Sequence, residues 1–418
     1  MTVSSKQVSS LRCGLLGETL GHSYSPRIHA LLGDYDYYLY EVPKDKVEDF
    51  ILHGEWDGLN VTIPYKKVAA SLCDELSDIA KSLGSVNTLV RRDGKIYGYN
   101  TDYYGFRSMV IESGVDVAGK KALVLCTGGT GVTVQKVLSE MGAEVVPISR
   151  SGEDNYDNIE KHSDAILVVN ATPVGMYPKN GVSPLDLKRI PSCECVLDVI
   201  YNPMKTALIL QAESLGLKFK SGLHMLVAQA KYSSERFQNT EIGDDLVTSI
   251  EKRLTKELEN IILIGMPGSG KSAVAEALGK RLGRTVIETD AEIVKTAAMS
   301  IPKIFERSGE DEFRRLETDE IKNCGKLSEK IISTGGGTVT RNENYAYLHQ
   351  NGVIVWLERD ISKLPTAGRP ISQKSDLNEL YQKRKPMYEK FADIRVTNDG
   401  TVSETVEKII LGIEELTR

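Results

Sequence analysis

The sequence has few cysteines, no long apolar run and no excess of basic charge. Its six cysteines are scattered at positions 13, 73, 126, 193, 195 and 324, which argues against a disulfide framework. Cys193 and Cys195 are a close pair, but without a second pair or a neighbouring histidine they do not indicate a metal site. No segment approaches the roughly 20 apolar residues of a membrane span, and polar residues 1–10 lack the apolar core of a secretory signal. We therefore expect a cytoplasmic protein.

The charge balance limits the partners. The chain has 52 basic and 58 acidic residues, a net charge of −6, which argues against binding of nucleic acid or of an anionic membrane surface. With 418 residues, 41% of them hydrophobic and 26% charged, the chain suits two or three globular domains. There is no internal repeat and no Gly/Ser-rich tether. We therefore expect small-molecule ligands and no nucleic acid or membrane partner, and we leave the oligomeric state open.

A phosphate-binding loop follows a short apolar segment in the last third of the chain. Residues 265–272 fit the pattern GxxxxGK[ST]. Residues 261–264 before them indicate a buried strand, and residues 273–278 after them a helix. In this context glycines let backbone N–H groups turn towards phosphate oxygens, and Lys271 adds a full positive charge. The predicted nucleotide-binding residues are Gly265, Gly268, Ser269, Gly270, Lys271, Ser272 and Ala273, with Ser272 as a Mg²⁺ ligand.

A second nucleotide-binding pattern lies near the middle. Strands at 121–125 and 144–148 with a helix at 131–141 form a βαβ unit around residues 126–131. Cys126 replaces the first glycine of GxGxxG, and we expect cofactor binding to persist if the backbone there keeps a negative φ. Arg150 ends the second strand, where an acidic residue would favour NAD, so a cofactor with a 2′-phosphate is predicted. Residues 152–164 are short for a crossover, which predicts a reduced helix.

Four polar motifs precede this unit: SxSPxxH, NVTxPxK, GxVNT and GxNTDxxGF, at residues 23–29, 60–66, 84–88 and 98–106. Each is weak by itself, but in this order they resemble the substrate domain of shikimate dehydrogenases. Residues 170–176, 198–203 and 222–230 resemble later signatures of that family, so the resemblance covers about 11–238. It implies NADPH-dependent reduction of 3-dehydroshikimate, with Lys66 and Asp102 as the catalytic pair.

The same resemblance implies further contacts. The substrate-binding residues would be Ser23, Ser25, Thr62, Asn87, Tyr201 and Gln229. The cofactor-binding residues would be Gly128, Gly129, Thr130, Gly131, Ser149, Arg150, Asn170, Thr172 and Gly222. Met225 lies at helical spacing among apolar residues, which favours a place in the core.

Motifs after the phosphate-binding loop resemble shikimate kinases over about 260–418. They are an acidic strand end at 288–290, GExxFRxxE at 309–317, a GGG turn at 335–337, an Arg-Pro pair at 369–370 and RxPxY at 384–388. The resemblance implies Asp290 as the catalytic carboxylate, Arg314 and Arg384 on the shikimate carboxylate, and Gly335, Gly336 and Gly337 beside the ring. It also implies Arg369 on the ATP phosphates and Glu288, in place of the usual Asp, near Mg²⁺. Residues 363–372 are short for the family's lid.

Together these patterns predict an α/β protein: an N-terminal α/β substrate domain with a Rossmann-like NADP domain, then a P-loop kinase domain with a parallel sheet. The expected boundaries are a polar tail at 1–10, a substrate domain at 11–105 plus 219–238, an NADP domain at 106–218, a connector helix at 239–259 and a kinase domain at 260–418. The expected function is reduction of 3-dehydroshikimate to shikimate and its phosphorylation with MgATP. Two alternatives stay open, a quinate or NAD-linked dehydrogenase and a chain in which one half only senses a ligand or acts as a scaffold.

Overall fold

The computed structural model describes residues 11–21, 23–126, 128–364 and 377–416. Arg369 and most of the predicted lid lie outside these residues. The chain divides into two compact units. Unit 1 comprises Met1–Val174, Pro184–Tyr201 and Gln211–Glu251, and unit 2 comprises Gly175–Ser183, Asn202–Leu210 and Lys252–Arg418. Two short segments that the sequence places in the NADP domain are therefore part of unit 2, while the finer boundaries given above stay predictions.

The first sheet of unit 1 is mixed. Its order is β2-β1-β3-β5-β6-β4, with β5 antiparallel to both β3 and β6. The strands are β1 Arg12–Gly17, β2 Asp36–Glu41, β3 Gly58–Val61, β4 Glu75–Leu76, β5 Thr88–Arg92 and β6 Lys95–Tyr99. The helices between and after them are α1 Ser25–His29, α2 Val47–His53, α3 Lys66–Ser71, α4 Asp78–Leu83 and α5 Asp102–Ser113. Because α3 follows β3 and α5 follows β6 after short turns, both helices begin near the carboxyl ends of these strands and bring polar residues there.

The second sheet of unit 1 is parallel, in the order β11-β10-β9-β7-β8. Its strands are β7 Lys121–Leu125, β8 Glu144–Ile148, β9 Leu167–Asn170, β10 Cys195–Asp198 and β11 Lys218–Lys220. The helices along this part of the chain are α6 Gly129–Glu140, α7 Ala207–Ser214, α8 Gly222–Gln238 and α9 Asp245–Leu258, and the division between the units falls within α7 and α9. Between β8 and β9 the chain forms only a 3₁₀ turn, Ile159–His162, which confirms the reduced crossover. Buried Met225 joins the core of this region, as expected.

Unit 2 is built on a parallel sheet in the order β13-β14-β12-β15-β16. Its strands are β12 Asn260–Ile264, β13 Thr285–Glu288, β14 Lys330–Ser333, β15 Gly352–Glu358 and β16 Ile394–Thr397. The helices are α10 Lys271–Leu282, α11 Thr289–Ala297, α12 Ile301–Cys324, α13 Glu343–His349, α14 Leu377–Phe391 and α15 Val402–Leu416. Every residue of β12 is buried, because apolar clusters cover both faces of the sheet. The loop after this central strand is the predicted phosphate-binding loop.

The predicted connector contains a helix. The chain forms α9 over Asp245–Leu258, and the division between the units falls within it, after Glu251. Its last turns bury Leu254 and Leu258 while charged residues between them stay at the surface, which matches a narrow apolar stripe. Within the described ranges, no helix is both long enough and apolar enough to cross a bilayer.

Candidate functional sites

Lys66 and Asp102 form a close ion pair in unit 1. Each is the first residue of its helix, Lys66 of α3 and Asp102 of α5. The distance from Lys66 Nζ to Asp102 Oδ2 is 2.6 Å, and the two side chains are 28% and 15% exposed. The pair can therefore hold an ammonium group at a fixed place that solvent and ligand still reach.

Buried Asn87 fixes the position of Asp102. Its Nδ2 donates to Asp102 Oδ1 at 3.0 Å and to Gln229 Oε1 at 3.2 Å, while its Oδ1 accepts the Thr101 backbone N–H at 2.7 Å. Asn87 is 4% exposed, so these bonds form where competition from water is weak. Both carboxylate oxygens of Asp102 thus have a donor, one from Lys66 and one from Asn87.

A cavity of about 180 Å³ opens onto this pair. The structure brings all eight residues predicted for substrate binding and catalysis in unit 1 to its wall: Ser23, Ser25, Thr62, Lys66, Asn87, Asp102, Tyr201 and Gln229. His29 and Asn60 also line it, and neither was assigned a role from the sequence. Both belong to motifs already identified, so their place within those motifs was the signal available.

His29 lines this cavity and is a poor proton donor. Burial lowers its pKa to about 3, so the ring is neutral at physiological pH. Its Nδ1 is 2.6 Å from the Tyr35 hydroxyl, and the ring stacks on Tyr37 with a centroid distance of 4.0 Å. The paired Lys66 and Asp102 are consequently the groups suited to proton transfer here.

The dinucleotide loop departs from the expected backbone. Cys126 has φ 138°, so the expectation of a negative φ is wrong. The position needs the conformation that glycine adopts freely, and a side chain there is strained. The Gly128 N–H donates to Cys126 Sγ at 3.2 Å, and a Cβ on Gly131 would lie 2.3 Å from the Cys126 carbonyl oxygen. The loop keeps its tight turn because Gly131 lets α6 approach it.

Five of the other predicted cofactor residues lie at the start of α6 or directly after β8. Gly128, Gly129 and Thr130 are exposed at the start of α6, and Ser149 and exposed Arg150 directly follow β8. Exposed backbone at a helix N-terminus and a cation after the neighbouring strand are the features that a dinucleotide with a 2′-phosphate requires.

Asn170, Thr172 and Gly222 lie at the ends of neighbouring elements. Asn170 is fully buried, and its Nδ2 donates to both oxygens of Asp198 at 3.1 Å. Its Oδ1 accepts from Thr172 Oγ1 at 2.7 Å. A Cβ on Gly222 would lie 2.1 Å from the Val199 carbonyl oxygen. Asn170 therefore acts by holding Thr172 in place, and Gly222 lets α8 approach β10.

The phosphate-binding loop of unit 2 forms the expected strand, loop and helix. Gly265, Gly268 and Gly270 have φ 146°, 88° and 94°, so each takes a conformation that disfavours a side chain. Lys271 is 8% exposed, and its Nζ donates to the carbonyls of Gly265 and Met266 at 2.9 and 3.1 Å. Ser269 Oγ is buried with no hydrogen-bond partner among the described residues. This cradle fits a nucleotide phosphate chain, whose oxygens match such donors.

A cavity of about 600 Å³ extends from the loop to the middle of unit 2. The predicted residues that line it are Gly268, Gly270, Lys271, Ser272, Ala273, Glu288, Asp290, Arg314, Gly335, Gly336, Gly337 and Arg384. Ser272 and Glu288 place a hydroxyl and a carboxylate in the same cavity. Oxygen donors of this kind suit Mg²⁺, which prefers few protein ligands plus substrate phosphates. The cavity therefore fits both a nucleotide and a small acceptor.

The three consecutive glycines make room for protein side chains. A Cβ on Gly335 would lie 2.5 Å from Glu317 Oε1 and 2.8 Å from Asp290 Oδ1. On Gly336 it would meet Pro267, and on Gly337 it would lie 2.2 Å from the Arg314 guanidinium. Neighbouring side chains therefore leave no room for a Cβ at any of the three positions. The place of these glycines beside the ligand stays a prediction from the sequence.

Glu317 is a site residue that the sequence reasoning missed. It is 1% exposed, and it accepts from Arg314 at 2.7 Å and from Thr338 Oγ1 at 2.8 Å. It lies three residues after Arg314 on α12, so helical spacing was a signal that could have identified it. Arg384 is 4% exposed and donates to the Gly336 carbonyl at 3.0 Å, as does the Tyr388 hydroxyl at 2.6 Å. The two arginines are thus held in place before a ligand binds.

Asp290 is a carboxyl with an unusual proton affinity. Burial, then the charges of Glu317 and Glu288, raise its pKa to about 6, against the opposing charges of Lys271 and Arg314. Its Oδ1 is buried with no hydrogen-bond partner in the described part of the chain. An acceptor of this kind fits a ligand hydroxyl, which would supply the missing donor.

Comparisons with known proteins match both units. A family model described as shikimate dehydrogenase substrate binding domain matches residues 15–89, and one described as shikimate kinase matches residues 267–414. A shikimate dehydrogenase (NADP(+)) of Clostridium perfringens strain SM101 is 35% identical over 268 residues, which are 59% of this chain and 97% of the relative. One from Methanopyrus kandleri is 36% identical, over 54% of this chain and 90% of its own length.

Solved structures agree with these matches. A chorismate mutase/shikimate 5-dehydrogenase fusion protein from Clostridium acetobutylicum is 36% identical with a TM-score of 0.56, covering 59% of this chain and 97% of that one. The shikimate 5-dehydrogenase of Thermus thermophilus in complex with NADP(H) and shikimate is 29% identical with a TM-score of 0.54, covering 58% and 99%. The chain therefore belongs to the shikimate dehydrogenase family, and it carries a shikimate kinase domain after its dehydrogenase part.

Proposed function

We propose that this chain reduces 3-dehydroshikimate to shikimate with NADPH and then transfers a phosphoryl group from ATP to shikimate, giving shikimate 3-phosphate. One observation carries the proposal: the Lys66–Asp102 pair lines one cavity, and Asp290 with two arginines faces a phosphate-binding loop in another. The product of the first reaction is the substrate of the second. Reduced cofactors, ATP and six free cysteines favour the cytoplasm as its compartment.

In the dehydrogenase site, Lys66 transfers the proton. NADPH supplies the hydride when it is bound. Lys66 donates a proton to the ketone oxygen in reduction and, as the neutral amine, removes it in oxidation, while Asp102 orients the Nζ group from 2.6 Å. Hydroxyls of Ser23, Ser25 and Thr62 bind the carboxylate and ring hydroxyls without adding charge. The hydroxyl and amide side chains of this cavity thus favour a small hydroxylated acid as the substrate.

In the kinase site, the protein orients the acceptor and neutralises charge. Arg314 and Arg384 bind the shikimate carboxylate, for which a planar guanidinium is well suited. Asp290 accepts a hydrogen bond from the attacking hydroxyl and receives its proton. Lys271 would face the charge of the β- and γ-phosphates, Ser272 and Glu288 would hold Mg²⁺, and ATP would supply the phosphoryl group when bound. The role of Arg369 stays a proposal from the sequence.

A coupled assay tests this proposal. With 3-dehydroshikimate, NADPH and MgATP, the full chain should oxidise NADPH and form shikimate 3-phosphate, whereas Lys271→Ala should stop at shikimate. The loss follows because Lys271 meets phosphate charge in the transition state. Mass spectrometry of the products distinguishes shikimate from shikimate 3-phosphate. No NADPH oxidation with 3-dehydroshikimate, or oxidation only with the keto acid derived from quinate, would reject the dehydrogenase assignment.

Arg150→Asp should shift cofactor preference from NADP towards NAD. The change removes the cation beside the 2′-phosphate and adds a repelling charge. A charge-assisted contact of roughly 1.5 to 3 kcal/mol corresponds to about ten- to hundredfold in affinity. The measurement is kcat/KM for NADP and NAD in shikimate oxidation, with exposed Lys161→Asp as the charge-matched control. A parent enzyme that prefers NAD, or an equal effect of Lys161→Asp, would contradict this role.

Cys126→Gly should strengthen NADPH binding and raise the free energy of unfolding by about 1 kcal/mol, because glycine tolerates the positive φ at this position. It also frees the Gly128 N–H, which now donates to Cys126 Sγ, to face the pyrophosphate. The control is Cys126→Ala, which removes the thiol but keeps the strained backbone. Isothermal titration and denaturant unfolding of both variants separate the two causes. If alanine and glycine give the same stability, the strain is not the reason.

A further inference from the structure

Asn398 contacts the phosphate-binding loop of unit 2 from outside the cavity that the loop lines. It directly follows β16 and is 6% exposed. Its Nδ2 donates to the Ser269 carbonyl oxygen at 2.7 Å, and Asn398 lies outside the residues that line the cavity. None of the sequence motifs includes it. Any effect of Asn398 on a nucleotide in the cavity must therefore pass through the loop.

Two partners fix the orientation of the Asn398 side chain. The Ser269 carbonyl can only accept, so the NH₂ group of Asn398 faces it. Asn398 Oδ1 accepts from the Thr405 hydroxyl at 2.7 Å, and a reversed amide would set two oxygens against each other at Ser269. The Asn398 N–H donates to the Glu358 carbonyl at 2.7 Å. Both the backbone and the side chain of Asn398 are thus held by hydrogen bonds.

Thr405 connects this contact to the core of unit 2. It lies in the first turn of α15 and is 1% exposed. Val406 and Ile409 of the same helix belong to the apolar cluster that includes Val274 and Leu278 of α10. Since α10 begins at the end of the phosphate-binding loop, α15 is packed against the helix that follows the loop. Close-packed apolar contacts therefore set the position of Thr405 relative to the loop.

The Ser269 carbonyl sets the direction of the next N–H group. The peptide bond between Ser269 and Gly270 is trans, so the Gly270 N–H points opposite to the Ser269 carbonyl. Because the carbonyl is held towards Asn398, the N–H points away from Asn398, and Gly270 is a residue of the cavity wall. Gly270 has φ 94°, and a Cβ there would lie 2.5 Å from Asn398 Nδ2. Glycine is thus required at this position for Asn398 to come so close.

We propose that Asn398 is a positioning residue for the nucleotide. By holding the Ser269 carbonyl, it directs the Gly270 N–H towards a phosphate oxygen, and Thr405 keeps Asn398 in the required orientation. Backbone N–H groups directed at phosphate oxygens are what a phosphate-binding loop provides. The helix α15 thereby contributes to nucleotide affinity, although its residues lie outside the cavity wall. The inference rests on the proposed use of ATP, but not on shikimate as the acceptor.

Equilibrium binding of MgADP to the full chain, without shikimate, tests this role. Asn398→Ala should weaken binding by roughly three- to tenfold, the worth of one hydrogen bond. Asn342→Ala, at an exposed position before α13, is the matched control and should leave the affinity unchanged. Equal affinities of the parent and Asn398→Ala for MgADP, measured by isothermal titration, would overturn the proposal.

Variants of Thr405 test the support that it gives to Asn398. Thr405→Val, which has the same size but no hydroxyl, should weaken MgADP binding, whereas Thr405→Ser keeps the hydroxyl and should bind as the parent does. Adding Thr405→Val to Asn398→Ala should have little further effect, because both changes act on one contact. Fully additive losses would overturn the role of Thr405. If Asn398→Ala does not fold, the comparison of Thr405→Val with Thr405→Ser decides, and equal affinities would overturn the proposal.

Inorganic tripolyphosphate separates a phosphate contact from a contact with the base. It carries a phosphate chain without a nucleoside, so its magnesium complex should compete with MgADP and should lose affinity in Asn398→Ala by the same factor. A loss confined to MgADP would assign Asn398 to the base and overturn its action through Gly270. A parent chain that binds MgADP but not tripolyphosphate would overturn it as well.

Kinetics distinguish positioning from a general loss of structure. Asn398→Ala should raise KM for ATP by the factor found in binding and leave KM for shikimate unchanged. A lower kcat with both KM values unchanged would indicate fewer folded molecules and would overturn the positioning role. A parent chain that binds MgADP but never phosphorylates shikimate would reject the proposed kinase reaction, while the binding measurements would still decide the role of Asn398.

Discussion

Replacing Lys66 by alanine should abolish shikimate oxidation while ATP-dependent phosphorylation of shikimate continues at the parental rate. Lys66 holds its ammonium 2.6 Å from Asp102 at the wall of the dehydrogenase cavity, and His29, buried and neutral there, cannot replace it. Loss of a positioned group that transfers a proton costs typically 10² to 10⁴ in rate. Parallel assays of NADP reduction and of ADP release, on one preparation, measure both activities.

The neighbouring lysine provides the control. Lys67 is exposed and outside the residues that line the cavity, so Lys67→Ala changes the same residue type and charge without removing the group that transfers the proton. We expect it to keep both activities. Oxidation by Lys66→Ala at more than about a tenth of the parental rate would reject the assignment of Lys66 as the group that transfers the proton. If Lys66→Ala and Lys67→Ala lost oxidation activity equally, the loss would instead come from removing positive charge at the start of α3.

The sequence was sufficient where function depends on short, continuous patterns. The phosphate-binding loop needs a strand, glycines and a helix in succession, and residues 260–282 supply them in that order. The pairing of Lys66 with Asp102 is different, because 36 residues separate them. It was predicted through family resemblance, since nothing in the local sequence says that α3 and α5 begin side by side.

Other features depend on three-dimensional surroundings that no local pattern records. The positive φ of Cys126 reflects how tightly the loop turns between β7 and α6. The requirement for glycine at 335 and 337 arises from side chains of α11 and α12. Segment 202–210 belongs to unit 2 because of contacts with residues almost 150 positions away. Each of these features depends on contacts between residues that are far apart in the sequence, so no local pattern predicts it.

The kinase reaction should lose activity as the pH falls through about 6. Burial and the charge of Glu317 raise the pKa of Asp290 to about 6, and only the carboxylate form can accept the proton of the attacking hydroxyl. The pH dependence of kcat/KM for shikimate reports this ionisation in the free enzyme. Asp290→Asn should reduce the rate by roughly 10² to 10⁴. Asp311→Asn, an exposed carboxyl on α12, is the control and should leave the profile unchanged.

The same carboxyl should make the folded protein less stable at neutral pH. Its pKa rises on folding from 3.8 to about 6, so the native state binds the proton more tightly than the unfolded chain does. Proton binding at Asp290 therefore adds to the free energy of unfolding. This contribution is complete below about pH 4 and is lost as the pH rises through 6, a change on the order of 3 kcal/mol.

Asp290→Asn cannot ionise and should avoid this loss. The variant should therefore unfold at higher denaturant concentration than the parent at pH 7, while the two should approach equal stability near pH 4. Denaturant titrations of both proteins at the two pH values make the comparison, with Asp311→Asn as the reference. A variant that is inactive but no more stable at pH 7 would show that ionisation of Asp290 does not destabilise the folded protein. An active variant would remove Asp290 from the reaction. Loss of activity with gain of stability is expected because the environment that makes this carboxylate basic also makes its charge costly to bury.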